Sequence, residues 1–327
     1  MKEIAEEIHK NSIIIDGHCD TVHNFLNPAR EYSFHKKNSR GHVDLPRLKE
    51  GGVKVQVFAI YVESKYNPWC SLERCLELYD YFLRTMEDNQ EEIELAHSLK
   101  EIYSIYQKEK IAAFLSVEGG EVLQGRLEVL RVLYRLGIRI LTLTWNHRNQ
   151  LGDGVYEKVT GGGLTRFGRK VVKEMNRLGM IIDVSHLSEP GFWNVLELSE
   201  YPVMASHSNA AALCPHPRNL SDRQLRALGE KGGMVGVNFC PSFVSDENPK
   251  LKVLLDHIDH IVNLIGIEHV GIGSDFDGID QGVEGLEDIS KITNITSGLI
   301  NRGYEERDIK KIWGENYLDL FKKTLKE

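Results

Sequence analysis

Apolar and polar positions along the chain alternate between two periods. Short runs rich in Ile, Val, Leu and Met recur at 12–16, 53–61, 111–117, 138–142, 180–184, 202–206, 234–238 and 269–274. Their continuous apolar character is that of strands buried on both faces. Between them lie segments of helical period at 71–89, 126–136, 168–178, 188–198, 221–231 and 249–264, three of them opened by a serine suited to capping, Ser71, Ser188 and Ser221. Strand, helix, strand in that order, with no low-complexity linker, predicts a parallel sheet. Eight such strands predict its closure into a (β/α)8 barrel of the TIM type, with a doubly wound open sheet as the alternative. Residues 286–301, 305–313 and 315–323 supply extra C-terminal helices packed outside the barrel. Residues 21–40 form a long polar loop after the first strand, on the face where a barrel carries its chemistry.

Composition is compatible with that architecture and removes some partners. A chain of 327 residues fits one barrel, so residues 1–327 are expected to form a single (β/α)8 barrel domain. Hydrophobic residues at 41% and charged residues at 27% describe an ordinary soluble protein with a sizeable core. A formal net charge of −8 gives no electrostatic reason to bind nucleic acid or an anionic membrane. The cysteines, 19, 70, 75, 214 and 240, are odd in number and form no CxxC pair, so they read as free thiols. The first residues are acidic and amphipathic, without the apolar stretch of a signal peptide, and no run is long enough to span a bilayer; a cytoplasmic protein is expected.

Chemistry enters at the strand ends, which a parallel barrel gathers on one face. The first run empties into His18 and Asp20, a pair that means little alone. The third ends at Glu118-Gly119-Gly120, the fifth at Ser185-His186, the sixth at His207 and the eighth at Asp275. Five of eight strands therefore end in a residue type that ligates metals. Three histidines with two or three carboxylates are too many for one four-coordinate zinc, which predicts two cations with Glu118 as the bridge. Such a pair would share a water, lower its pKa and polarise a carbonyl, while Asp275 receives and returns the proton.

These residues carry a resemblance. Asp16-Gly17-His18-Cys19-Asp20, Val117-Glu118-Gly119-Gly120, Leu141-Thr142-Leu143-Thr144, the run 179–186 ending in Asp183-Val184-Ser185-His186, Ser206-His207-Ser208, Arg218-Asn219, Gly273-Ser274-Asp275-Phe276-Asp277-Gly278 and Gly314-Glu315-Asn316 together resemble the membrane (renal) dipeptidase family of zinc metallopeptidases over most of the chain. The resemblance implies two Zn²⁺, one on His18 and Asp20 and one on His186 and His207, bridged by Glu118, with Asp275 as acid/base. It implies that Arg218, on its own a surface arginine, clamps the C-terminal carboxylate of a dipeptide substrate, which a bridging hydroxide then attacks. The family's animal members place a substrate-contacting histidine where this chain has Trp145. His147, two residues on, either takes over that contact or is an ordinary loop histidine.

Cys19, which by period-two geometry points away from the side its two neighbours share, Asp183, and Asp277, which either supports Asp275 or caps the next segment, receive no direct chemical role; His257 and His260 are expected to be solvated, and Gly161-Gly162-Gly163 a flexible lead-in to a helix. The competing functions are another dinuclear hydrolase, a lactonase, phosphotriesterase or cyclic amidase, and a non-catalytic metal-binding scaffold. The first kind usually shows His-x-His on strand one and a modified lysine after strand four, both missing from this sequence. Oligomeric state is not legible, and a homodimer is left open.

Overall fold

The computed structural model describes residues 2–26 and 32–326. Among them nine strands make one parallel sheet: β1 (Ile14–Cys19), β2 (Val53–Tyr61), β3 (Ile93–Leu95), β4 (Ile111–Glu118), β5 (Ile140–Thr142), β6 (Ile181–Asp183), β7 (Met204–Ala205), β8 (Met234–Val237) and β9 (Val270–Ile272). Their order is β2-β1-β9-β8-β7-β6-β5-β4-β3, and pairing of β2 with β4 closes it into an eight-stranded barrel. The open-sheet alternative is thereby excluded. β3, which the sequence reading did not anticipate, lies outside the ring. It pairs with the first residues of β4, Ile111 to Ala113, while β5 pairs with the last, Ser116 to Glu118.

Period-two geometry sorts β4 between two cores. Ala112 and Phe114 face the barrel interior with Ile15, Val55, Ile140, Ile181, Met204 and Met234. Ala113, Leu115 and Val117 join the layer between strands and helices. By the same parity Ser116 and Glu118 continue the inward row, which brings Glu118 to the barrel mouth. On β1 a register irregularity between Asp16 and Cys19 interrupts the alternation. Cys19 packs into the outer layer, as its place between two inward side chains predicted.

The helices mostly match their expected spans, as with Ser71–Asp88 and Arg166–Leu178. Ser188 caps its helix through Gly191 N, and Ser221 forms a capping box with Gln224. Ser71 does not cap; it lies inside its helix and its hydroxyl donates to Glu121 O at 3.0 Å. His257 is also a correction. It shares the inward face of Leu251–Ile265 with Leu254 and Ile261, is fully buried, and bridges Ala210 N and Val244 O. His260 is one-quarter exposed and pairs with Asp222 at 2.8 Å. The loop after β1 begins with a short helix, Val22–Phe25, and its residues 27–31 lie outside the described ones. No helix of the described residues is long and apolar enough to cross a membrane.

The last helix, Asn316–Thr324, does not lie outside the barrel as expected but plugs its lower end. Phe321 stacks on Phe114 at 4.9 Å, and the Tyr317 hydroxyl donates to Ile272 O at 2.7 Å. Strands must leave room for that ring. A Cβ on Gly17 would meet the Tyr317 oxygen at 2.0 Å, and one on Gly271 would meet the ring at 2.5 Å. Phe321→Ala should therefore cost about 3–5 kcal/mol of stability, whereas Tyr317→Phe, losing one hydrogen bond, should cost about 1 kcal/mol; urea unfolding of the two variants checks the difference.

Candidate metal centre

All eight strands of the barrel end at one mouth, and the candidate side chains converge there. His18, Asp20, Glu118, His186, His207 and Asp275 are each no more than 9% exposed. Three overlapping groups of ligand atoms lie within 4.8 Å of one another: His18, Asp20 and Glu118; Glu118, His186 and His207; and His18, His207 and Asp275. Glu118 belongs to the first two groups through different oxygens. Its Oε2 lies 3.8 Å from His18 Nε2, and its Oε1 lies 2.7 Å from His186 Nε2 and 3.5 Å from His207 Nε2.

Neighbouring polar groups orient the two histidines. His186 Nδ1 faces Asn146 Oδ1 at 2.8 Å, an acceptor, so it carries the proton. His207 Nδ1 lies 2.7 Å from Ser206 Oγ, whose own proton goes to Asp183 Oδ2 at 2.6 Å, so this nitrogen is a donor too. Burial drives both imidazoles well below their ordinary pKa, and they are neutral. With these tautomers, assigned from the partners, the two Nε2 lone pairs face each other at 2.8 Å and both face Glu118 Oε1. Acceptors converge with no proton between them. His18 Nε2 and Asp20 Oδ1 are likewise buried without a hydrogen-bond partner. A divalent cation is what satisfies such a set, and outward-donating Nδ1 atoms are the usual support of histidine ligands.

Electrostatics point the same way. Burial works against charge on His18, yet Asp20 and Glu118 push it up to about 10, so that without a cation a proton occupies the place of one. Burial, with Glu118 nearby, raises Asp20 to about 6. Asp275 is raised to about 7, chiefly by burial, with Asp20 and Glu118 adding to it.

Two buried aspartates that ligate nothing tie the strand ends together. Asp16 accepts from Gln56 Nε2 on β2 and from Ser274 N and Oγ beyond β9, at 2.7 to 2.9 Å. Asp183 accepts from Thr142 Oγ1 on β5 and from Ser206 N and Oγ beyond β7, at 2.6 to 2.9 Å. On this frame His186 and Asp275 sit at φ +65° and +64°, a left-handed conformation costly for residues with a Cβ and common at functional sites. Asn238 donates to Asp275 Oδ2 at 2.8 Å. Asp277 does not support Asp275; it accepts from Thr21 Oγ1 and His42 N and so pins the first loop.

Above these groups opens a cleft of about 740 Å³ lined by Asp20, Glu118, His186, Arg218 and Asp275, among others. Arg218 is only 2% exposed, which corrects its reading as a surface residue. Its Nη2 donates to His207 O at 3.0 Å, its guanidinium lies over the Phe243 ring, and its Nε has no partner. A buried guanidinium with a free donor is suited to a carboxylate. His147 is not drawn into this cleft. Its side chain is 58% exposed, 3.8 Å from Glu157, whereas Trp145 and Asn146 line the wall. Asn146 and Asn238, which hold His186 and Asp275, were missed in the sequence. Asn238 ends one of the predicted strands and could have been found there; Asn146 gives no local signal.

Comparison with known proteins shows the family to which this fold belongs. The model of the membrane dipeptidase family (peptidase family M19) matches residues 2–326. Dipeptidase tcpJ of Claviceps purpurea is 35% identical over 327 aligned residues, covering 94% of this chain and 76% of its own length. The crystal structure of dipeptidase AC, a metallo peptidase of family M19, superposes with a TM-score of 0.89 at 32% identity, over 96% of this chain and 98% of its own. A metallo peptidase from Rhodobacter sphaeroides, liganded with a phosphinate mimic of the dipeptide L-Ala-D-Ala, gives a TM-score of 0.89 at 31% identity, over 96% and 99%. The chain belongs to the membrane dipeptidase family, peptidase family M19, and so is a dipeptidase of the metallopeptidase type.

Proposed function

We propose that residues 1–327 form one catalytic unit, a dinuclear zinc dipeptidase that hydrolyses the peptide bond of free dipeptides. The observation that carries this reading is the division of Glu118, one oxygen toward His18 and the other toward His186 and His207. His18 and Asp20 would hold one cation, His186 and His207 the other, with Glu118 between; the mixture of imidazole and carboxylate suits zinc. When bound, the cations supply Lewis acidity, acidifying water and drawing electron density from the scissile carbonyl.

The protein's own groups do the rest. Arg218, desolvated and with Nε unpaired, binds the substrate's C-terminal carboxylate. Its place beside His207 sets the substrate length, because the carboxylate must lie one residue beyond the scissile bond. Asp275, held by Asn238, takes the proton of the attacking water and delivers it to the leaving amine. The structure of a relative with a dipeptide mimic supports the substrate class.

Purified protein loaded with zinc is expected to bind two equivalents and to hydrolyse members of a panel of L-L and L-D dipeptides, activity vanishing with a chelator and returning with zinc. One equivalent, or turnover of lactones or phosphotriesters in place of dipeptides, would overturn the reading. Arg218→Ala should raise KM for dipeptides about 100-fold or more, and an unchanged KM would remove the clamp. Asp275→Asn should keep both zinc ions and lose at least about 100-fold in kcat.

Metal affinity should also depend on pH. His18, at about 10 without metal, is protonated at neutral pH, and binding must expel that proton. The apparent Kd should therefore tighten about tenfold per unit rise between pH 7 and 8. Below pH 6 the slope should steepen as Asp20, at about 6, also becomes protonated. Competition with a chromophoric chelator measures both slopes.

A further inference from the structure

The order of strands gives the cleft a direction. Around the mouth the barrel strands run β1, β2, β4, β5, β6, β7, β8, β9. The segments after β7 and β8, which carry Arg218 and Phe243, therefore stand across the barrel from the ends of β2 and β4. On the dipeptidase reading, with the substrate carboxylate at Arg218 and its peptide bond beside Glu118, the N-terminal residue is directed to that far wall.

The far wall is aromatic. Tyr61, the last residue of β2, and Trp145, just beyond β5, both line the cleft with their rings tilted at 5.2 Å between centroids. Trp145 lies 6.2 Å from the His186 ring, next to the reacting centre. His23 closes the wall from the helix after β1, its ring 5.7 Å from that of Tyr61 and its Nε2 bonded to Tyr61 O at 2.9 Å. Tyr61 and Trp145 are only half-buried, so apolar surface is left facing the cleft. The wall has little charge to offer. Glu63 beside it is occupied, taking Nε and Nη2 of Arg74 at 3.1 and 3.0 Å, and burial pulls His23 below its ordinary pKa, toward the neutral ring.

We infer that Tyr61, Trp145 and His23 form the pocket for the side chain of the substrate's N-terminal residue, and that this pocket selects aromatic and large aliphatic side chains. Apolar area buried against the two rings supplies the discrimination. Among the described residues of that wall the carboxylate is Glu63, which is already paired with Arg74, so it offers a lysine side chain no free counter-charge.

The test compares kcat/KM of the zinc-loaded enzyme for Phe-Ala, Leu-Ala, Gly-Ala and Lys-Ala. Phe-Ala and Leu-Ala should exceed Gly-Ala by about 30-fold, and Lys-Ala should not. Trp145→Ala should reduce the Phe-Ala to Gly-Ala ratio to about threefold or less, and Trp145→Phe should restore most of it, zinc content being measured in each variant. As a binding readout, Phe-Ala should change the tryptophan emission of Asp275→Asn far more than Gly-Ala does, and this difference should be lost in Asp275→Asn with Trp145→Phe. A preference for Lys-Ala, no preference, or a ratio unmoved by Trp145→Ala would overturn the pocket while leaving the dipeptidase intact. Failure of the wild type to turn over any of the four would sink the dipeptidase reading and the pocket with it.

Discussion

Everything at the mouth of this barrel follows from one electrostatic conflict: acceptor atoms are brought together where little water reaches them. Asp20, Glu118 and Asp275 bring carboxylates, His186 and His207 bring lone pairs, and all are at least nine-tenths buried. An unpaired buried charge costs several kcal/mol, so an arrangement of this kind persists only if positive charge is supplied. Arg218 supplies a fixed part of it at one edge, and the protonated His18 supplies a removable part at the centre. The remainder of the demand is what a metal meets.

Holding such a cluster requires a frame that cannot relax. Asp16 and Asp183 provide it because each joins its own strand to two neighbouring elements at once, and each is satisfied by hydroxyl and backbone donors, with the Gln56 amide added at Asp16, rather than by a cation. Their hydrogen bonds keep the ends of β1, β2, β5 and β6 and the segments beyond β7 and β9 in fixed register. That rigidity permits His186 and Asp275 to remain in a left-handed backbone conformation. From below, Tyr317 and Phe321 fill the barrel, so the strands can neither close further nor slide.

The strand ends were legible because parallel closure is a global rule acting on a local pattern. Once eight apolar runs are granted, the residues after them must share a face, and His18, Asp20, Glu118, His186, His207 and Asp275 are brought together as that rule requires. What escaped the sequence depends on partners far along the chain. The burial of Arg218 comes from His207 and Phe243, and the plug helix is defined by glycines some 46 and 300 residues away, at 271 and 17. His257 has the spacing of a helix face, but only the approach of Ala210 and Val244 decides that the face is inward. β3 is three residues long, too short to show a period of its own.

Position 145 shows how the same barrel can separate chemistry from choice of substrate. Animal members of the family carry a histidine there, a side chain that both donates and accepts and that changes charge near neutral pH. Trp145 can only donate, has no charge to change, and presents a large ring toward Tyr61. His147 brings no polarity to that wall; its side chain is exposed and directed toward Glu157 and Tyr156. The cleft therefore runs from a polar end, where Arg218 and the acceptor cluster stand, to an aromatic end lined by Tyr61 and Trp145; on the proposed reading the first would meet groups common to every dipeptide and the second what differs between them. Because the two ends hang on opposite strands of a rigid barrel, side chains at the aromatic end can vary without disturbing the atoms that must stay fixed.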